Sequence, residues 1–328
     1  MPPGEQAVAL AAQRAALPPQ VQIEDVPCPM GCPGPDTEIA RSWDRLHGVS
    51  GTFTVVRCDA CGLMRTTPRP TLETIGIYYP QAYSPHLATT AAPRAGLLKR
   101  LAIALRLDGT KSLVPPVPAG AALEIGCASG RFMQKLRARG WKVSGIEPSR
   151  EAAARAAAAG FSVHAGPLET APAPAEPFDL IVASHTIEHL HDPLGCLRRM
   201  RAWSKDGAYL TCEIPDAGGL LFRRFGGAWY DLDLPRHLFH FTRSTLAAML
   251  AKAGWKLVHA HCHRTLNGLA GTLGYSLRDR SEGKSALGNA LMRFPDSGSR
   301  LKLLSGPLSG LLKAVGQTGR MVVWARAV

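Results

Sequence analysis

Leu123-Glu-Ile-Gly-Cys-Ala-Ser-Gly130 is the stretch on which the fold turns. It begins inside the short apolar run Ala121–Ile125 and leads into the segment Arg131–Arg139, which Gly140 ends. A strand, a glycine-containing loop and a helix in succession let backbone approach a ligand closely, with the helix N-terminus facing it. Several ligand classes use such a loop, so the neighbouring segments must carry the rest. Trp141–Ile146 reads as a second strand whose tip is Glu147, 17 residues beyond Gly130. An acidic side chain there can accept hydrogen bonds from both hydroxyls of a ribose. Ser149 is positioned to cap an alanine-rich helix over 150–159, which Gly160 ends. Further strands are expected at 161–165, 178–183 and 208–214, with Asp192 and Pro193 opening a helix over 193–204. This alternation predicts an α/β fold with a doubly wound parallel sheet and a ligand crevice at the carboxyl ends of its strands.

A chain of 328 residues can form one large domain, or one ordinary domain with a small accessory module. An apolar fraction of 46% with 19% charged residues fits a soluble globular chain. No run reaches the roughly 18 apolar residues of a membrane span. The first 22 residues lack the basic start of a secretory signal and read as a disordered leader, so a cytoplasmic location is the default expectation. The net charge of +13 favours anionic company, and it is spread rather than gathered in one run. Residues 94–111 carry five Lys/Arg against one Asp, and residues 276–320 carry eight against three acids.

Four of the eight cysteines form two close pairs, Cys28-Pro-Met-Gly-Cys32 and Cys58-Asp-Ala-Cys61, 25 residues apart. In a chain without an export signal, paired cysteines favour a metal over disulfides. Two such hairpins can offer four thiolates to one structural zinc ion, with Gly31 and Gly62 at the tight turns. A closed set of four sulfurs leaves no position for water or substrate, so the zinc supports the module rather than catalysing. The expected organisation is therefore a leader over 1–22, a zinc-ribbon-like module over 23–70, a helical connector over 71–118 and the main domain over 119–328. The connector is read as a helix at 71–79 and a basic amphipathic helix at 96–107. Residues 265–318 form a helical insertion, read as a lid or a homodimer surface, with peripheral membrane contact as a second reading.

Leu123–Gly130, Glu147 and the Phe178–Pro193 block resemble the motifs of class I S-adenosylmethionine (SAM)-dependent methyltransferases. The cysteine pairs, Pro68-Arg-Pro70, Tyr78-Tyr79 and Trp229–Thr242 are similar to regions found in members with an N-terminal zinc-binding segment. The resemblance covers roughly residues 25–262 and the final strand, and it implies a Rossmann-like sheet of seven strands with the last antiparallel. It also implies that Glu124 meets the methionine amino group and that Gly126, Cys127, Ala128 and Gly130 face the methionine and ribose. Glu147 and Pro148 would border the ribose, Gly166, Pro167 and Leu168 the adenine, and Ser184 the methionine side. Ala128 departs from the family, where many members carry a glycine. An NAD-binding reading is set aside, because the loop is not G-x-G-x-x-G and the spacing follows the methyltransferase pattern.

Methyl transfer needs an in-line nucleophile about 3 Å from the methyl carbon in a site that excludes water. His185, Glu188 and His189 follow the fourth strand, on one face if the segment is helical. They read as a general base, as a divalent-metal site similar to the E-x-x-E-H arrangement of ubiquinone-type O-methyltransferases, or as a structural loop. In Trp229–His240, His237 is an alternative base, and Tyr230, Arg236 and His240 are candidate substrate contacts. For Arg236 the competing reading is a loop pinned to the chain's own carboxylates. The function expected is methylation, on oxygen or carbon, of a small or carrier-linked metabolite such as a sugar, glycan or secondary-metabolite precursor. The alternatives are an RNA methyltransferase, whose cysteine module would offer Arg41, Arg45, Arg57 and Arg65 to RNA, and a SAM-binding protein without catalysis.

Overall fold

The structure is a computed structural model that describes residues 16–79, 113–263, 265–294 and 306–328. The helix expected at 96–107 lies outside these residues, as does the leader up to residue 15. In chain order the first elements are strands β1 (Ile23–Glu24), β2 (Asp36–Trp43), β3 (Thr52–Cys58), β4 (Met64–Thr66) and β5 (Arg69–Pro70). Strand β6 (Ala121–Ile125) is followed by helix α1 (Arg131–Arg137), β7 (Lys142–Glu147), α2 (Arg150–Ala158) and β8 (Ser162–Ala165). Then come β9 (Phe178–Ser184), α3 (Pro193–Ala202), β10 (Ser204–Pro215), α4 (Leu220–Phe225) and β11 (Phe239–His240). The chain ends with α5 (Arg243–Lys252), β12 (Trp255–Cys262), α6 (Asn267–Arg280), α7 (Ala286–Met292), α8 (Gly306–Ala314) and β13 (Arg320–Ala327).

The chain divides into two compact units. The first, here the cysteine unit, takes in Met1–Pro80, Pro215–Thr245 and Arg264–Arg320; the second, the sheet unit, takes in Gln81–Ile214, Leu246–His263 and Met321–Val328. Each unit is therefore assembled from separated stretches of chain.

In the sheet unit seven strands run in the order β12-β13-β10-β9-β6-β7-β8. β10, β9, β6, β7 and β8 are parallel neighbours, and β13 lies antiparallel to β12. This is the doubly wound, Rossmann-like sheet of seven strands expected. Leu180, Ile181, Val182 and Ala183 of β9 have no exposed surface, because a central parallel strand is covered on both faces. Ala122, Leu136 and Trp141 pack against Leu180 and Val182 on one side. The caps read from sequence form: Ser149 Oγ accepts from Ala152 N, and Asp192 Oδ1 from Gly195 N, with Pro193 at the first turn of α3.

In the cysteine unit β2, β3 and β4 form an antiparallel meander. Its fourth strand is β11, from nearly 175 residues downstream, which pairs Phe239 with Arg65 and His240 with Met64. β3 alternates in burial, turning Phe53 and Val55 into a core shared with Tyr78, Leu221, Phe222, Trp229, Leu232 and Leu234. Leu17 and Val21, ahead of the boundary expected at residue 23, pack against the same core. The helix expected over 71–79 is only a 3₁₀ turn at Ile75–Tyr78. Tyr78 is drawn into the core there, where its ring meets Phe53 edge-on at 5.6 Å and its hydroxyl donates to Ser50 O. In α6, Gly268, Gly271 and Gly274 lie at three-residue intervals. A side chain at Gly271 would collide with the Tyr230 ring, and Gly274 and Gly288 let α6 and α7 approach at backbone distance.

Candidate functional site

The carboxyl ends of β6 and β9 frame a cavity of about 200 Å³ in the sheet unit, lined among others by Glu124, Gly126, Cys127, Ala128 and Ser184. Its floor is the glycine loop. Gly126, Ala128 and Gly130 have φ of +70°, +46° and +81°, so three of the five loop residues are left-handed. Gly126 needs that freedom and also the space, because a Cβ would lie 2.7 Å from Thr186 Oγ1. At Ala128 a side chain occupies a conformation that suits glycine, at a cost of roughly 1–2 kcal/mol.

Glu124 is buried and lines the cavity, and among the described residues its Oε2 has no hydrogen-bond partner. Burial pushes its carboxyl up to about 8; the Met133 amide and Lys135 oppose the rise, and Glu147 adds to it. Glu147 is positioned by the loops it touches: Oε2 accepts from Ala128 N at 2.7 Å and Oε1 from Ser149 N at 2.8 Å. Gly166 N donates to Glu147 O, setting the turn that carries Pro167 and the buried Leu168, while Pro148 is exposed. Burial raises the Cys127 thiol well above its ordinary range, which marks it as packing rather than as a nucleophile.

Beside this cavity, the turn after β9 carries His185 at φ +51°, Glu188 and His189. His185 Nδ1 lies 3.3 Å from Glu188 Oε1, and its Nε2 lies 3.5 Å from Glu213 Oε1. Glu213, in β10, also has His263 Nδ1 at 2.9 Å. Burial alone would raise the Glu213 carboxyl; the His185 and His263 imidazoles outweigh it and hold the group well below the usual carboxylate range. Glu213 and His263 carry no motif, and only the neighbouring carboxyl ends of β9, β10 and β12 reveal them. An acidic residue ending a strand, as Glu147 ends β7, was the available signal for Glu213.

The remaining candidates lie in the cysteine unit. Arg236 has no exposed surface. Its guanidinium donates to Asp44 Oδ1 at 2.7 Å, to both Asp233 oxygens at 2.6 and 3.1 Å, and to Tyr78 O at 2.8 Å. This is the pinned-loop arrangement, and removing one partner from such a buried set costs about 3–5 kcal/mol. His237 Nδ1 is 2.8 Å from Asp231 O, and His240 Nε2 is 3.1 Å from Thr66 Oγ1; both rings are buried. Tyr230 stacks obliquely on Tyr275 with centroids 5.6 Å apart.

Cys28, Cys32, Cys58 and Cys61 place all four sulfurs within 4.8 Å of one another, with Cys28 and Cys61 at 3.5 Å. A tetrahedral ion with metal–sulfur bonds of about 2.3 Å needs sulfurs roughly 3.8 Å apart, so the cluster fits. Gly31 and Gly62 close the two hairpins at φ +72° and +75°, each amide donating to the carbonyl of the cysteine that opens its turn.

A family model described as a methyltransferase domain matches residues 98–260. Over 126 residues the chain is 35% identical to the ubiquinone biosynthesis O-methyltransferase of Methylobacterium sp. (strain 4-46). That match takes in 36% of this chain and 46% of the relative, so the chain spans less than half of that protein's length. Among solved structures, a SAM-dependent methyltransferase from Thermotoga maritima is 21% identical with a TM-score of 0.45, covering 70% of this chain and 95% of that one. Magnesium protoporphyrin IX methyltransferase from Synechocystis PCC 6803, with bound S-adenosylhomocysteine, is 9% identical with a TM-score of 0.45, covering 76% and 96%.

Proposed function

We propose that this chain, a class I SAM-dependent methyltransferase, moves the methyl group of SAM onto a hydroxyl or carbon of a small or carrier-linked metabolite. A sugar, a glycan or a secondary-metabolite precursor is the acceptor class. The observation that carries the reading is the Glu124 cavity: a left-handed glycine loop at the sheet's switch point beside a buried carboxyl, one oxygen of which has no partner among the described residues. That carboxyl suits the ammonium of the methionine moiety. The loop from Gly126 to Gly130 would hold the methionine and ribose, Glu147 the ribose hydroxyls, and the turn at Gly166–Leu168 the adenine. SAM supplies an electrophilic methyl on a sulfonium. The chain's part is to hold it, exclude water and receive the acceptor's proton. His185, Glu188, His189 and His237 are the base candidates carried from the sequence, with Tyr230 and His240 as candidate acceptor contacts. The four cysteines hold a structural zinc ion in the cysteine unit.

Of the side chains the RNA alternative invoked, Arg65 is buried and Arg45 mostly covered, while Arg41 and Arg57 are exposed. Arg41 pairs with Glu38, Arg45 with Asp279, and Arg65 with Asp36, while Arg57 lies 3.9 Å from Asp59. Among the described residues no helix is long and apolar enough to cross a membrane.

Calorimetric titration with SAM tests the cavity: Glu147→Ala should weaken binding at least tenfold, and unchanged affinity would remove the basis of the proposal. Methyl-labelled SAM with cell extract should then label a small-molecule fraction. Label in RNA would favour the alternative, and binding without any transfer would leave a non-catalytic SAM-binding protein.

A further inference from the structure

The carboxylate of Glu213 lies one strand away from the cavity. Glu213 is in register with Ser184, and Ser184 lines the cavity wall. Two imidazoles converge on its Oε1, and they are not equivalent. His185 has a carboxylate at each ring nitrogen, Glu188 at Nδ1 and Glu213 at Nε2, so neither nitrogen is left to take a proton from an acceptor. His263 directs only Nδ1 at a carboxylate, and among the described residues its Nε2 has no hydrogen-bond partner. Its side chain is 21% exposed at the edge where β12 ends, so a proton gained there can leave to water. Nδ1 approaches Glu213 at 2.9 Å but off the N–H axis, the loose geometry expected of a catalytic pair before its ligand arrives.

We propose that His263 is the general base of methyl transfer and that Glu213 is the positioning residue that holds it, taking Nδ1–H so that Nε2 is the acceptor. This rests on the methyltransferase reading and on a hydroxyl acceptor. As the acceptor oxygen bonds to the methyl carbon, the S–CH₃ bond breaks and its electron pair returns to sulfur, leaving a neutral thioether. The hydroxyl proton passes to His263 Nε2, and the imidazolium formed beside the Glu213 carboxylate then releases it to solvent. Among the described residues, the ionisable groups placed against the pair are His185, 3.5 Å from Glu213 Oε1, and Glu188, 3.3 Å from His185 on the turn after β9.

The test uses the full chain, methyl-labelled SAM and the small-molecule extract fraction that the wild type labels. No labelling by the wild type would count against the methyltransferase reading itself, not against this assignment. Given labelling, His263→Gln should lower the rate about 10²–10⁴-fold while SAM affinity stays within twofold. Glu213→Gln should lower it less and move the acid limb of the pH–rate profile to lower pH, a shift that a merely structural carboxylate would not cause. Nitrogen-15 NMR of the wild type should show the Nδ1–H tautomer at His263. A near-wild-type rate in His263→Gln, an unmoved pH limb in Glu213→Gln, or the Nε2–H tautomer would each overturn the proposal.

Discussion

At the residue scale the cavity is governed by Glu124. Its folded carboxyl, pushed up to about 8 from the ordinary 4.5 by burial, is mostly protonated at neutral pH in the ligand-free protein. The sign follows: a raised acid stabilises the ligand-free fold fully below its unfolded range and loses that contribution as pH climbs toward 8, by up to about 1.4 kcal/mol per pH unit. With SAM bound as proposed, the preference should reverse, because its ammonium would select the carboxylate. Binding at pH 7 should therefore release close to one proton, falling toward none above pH 9. Calorimetry in buffers of different ionisation heat measures this directly. Glu124→Gln should abolish the release and weaken binding, and a release unchanged in that variant would mean the proton comes from elsewhere. Glu124 is legible in the sequence through the motif, whereas its protonation state depends on how deeply β6 is covered. Arg236 shows the opposite case. Its residue type suited a phosphate or carboxylate ligand, yet Asp44, nearly 200 positions earlier, already occupies it.

At the scale of elements, local chemistry was legible where the chain's own neighbours decide the outcome. Ser149 and Asp192 cap their helices because the cap bond spans only three residues. The 71–79 segment failed as a helix because Tyr78 is worth more to the core, beside Phe53, than helical hydrogen bonds are locally. Gly271 has a role that no local pattern announces: it admits the Tyr230 ring against α6. On an isolated helix Gly271→Ala would gain up to about 1 kcal/mol. In this protein the added methyl meets the ring, and the cysteine unit should lose about 1–3 kcal/mol instead. Denaturant unfolding decides the sign, and a stabilised variant would show that Tyr230 moves aside freely.

Across the whole molecule, the two cysteine hairpins close a sheet that also needs β11 from beyond β10. One zinc ion per chain is expected by metal analysis. Cys58→Ser with Cys61→Ser should abolish it and expose the amides of β2–β4 and β11 to hydrogen exchange, since the metal's binding energy of about 10 kcal/mol or more is also folding energy. Full protection in the metal-free variant would show that the apolar core around Trp229 suffices. By itself the sequence determined the parallel sheet, the cavity loop and the four thiolates, because each is written in periodicity or in spacings of a few residues. Only the tertiary structure decided that the cysteine unit is built from three separated stretches of chain, that Arg236 is buried among carboxylates, and that Glu213 gathers His185 and His263. Those contacts join residues about 30 to 200 positions apart, where no periodicity reaches and only the pairing of strands and the sharing of a core bring side chains together.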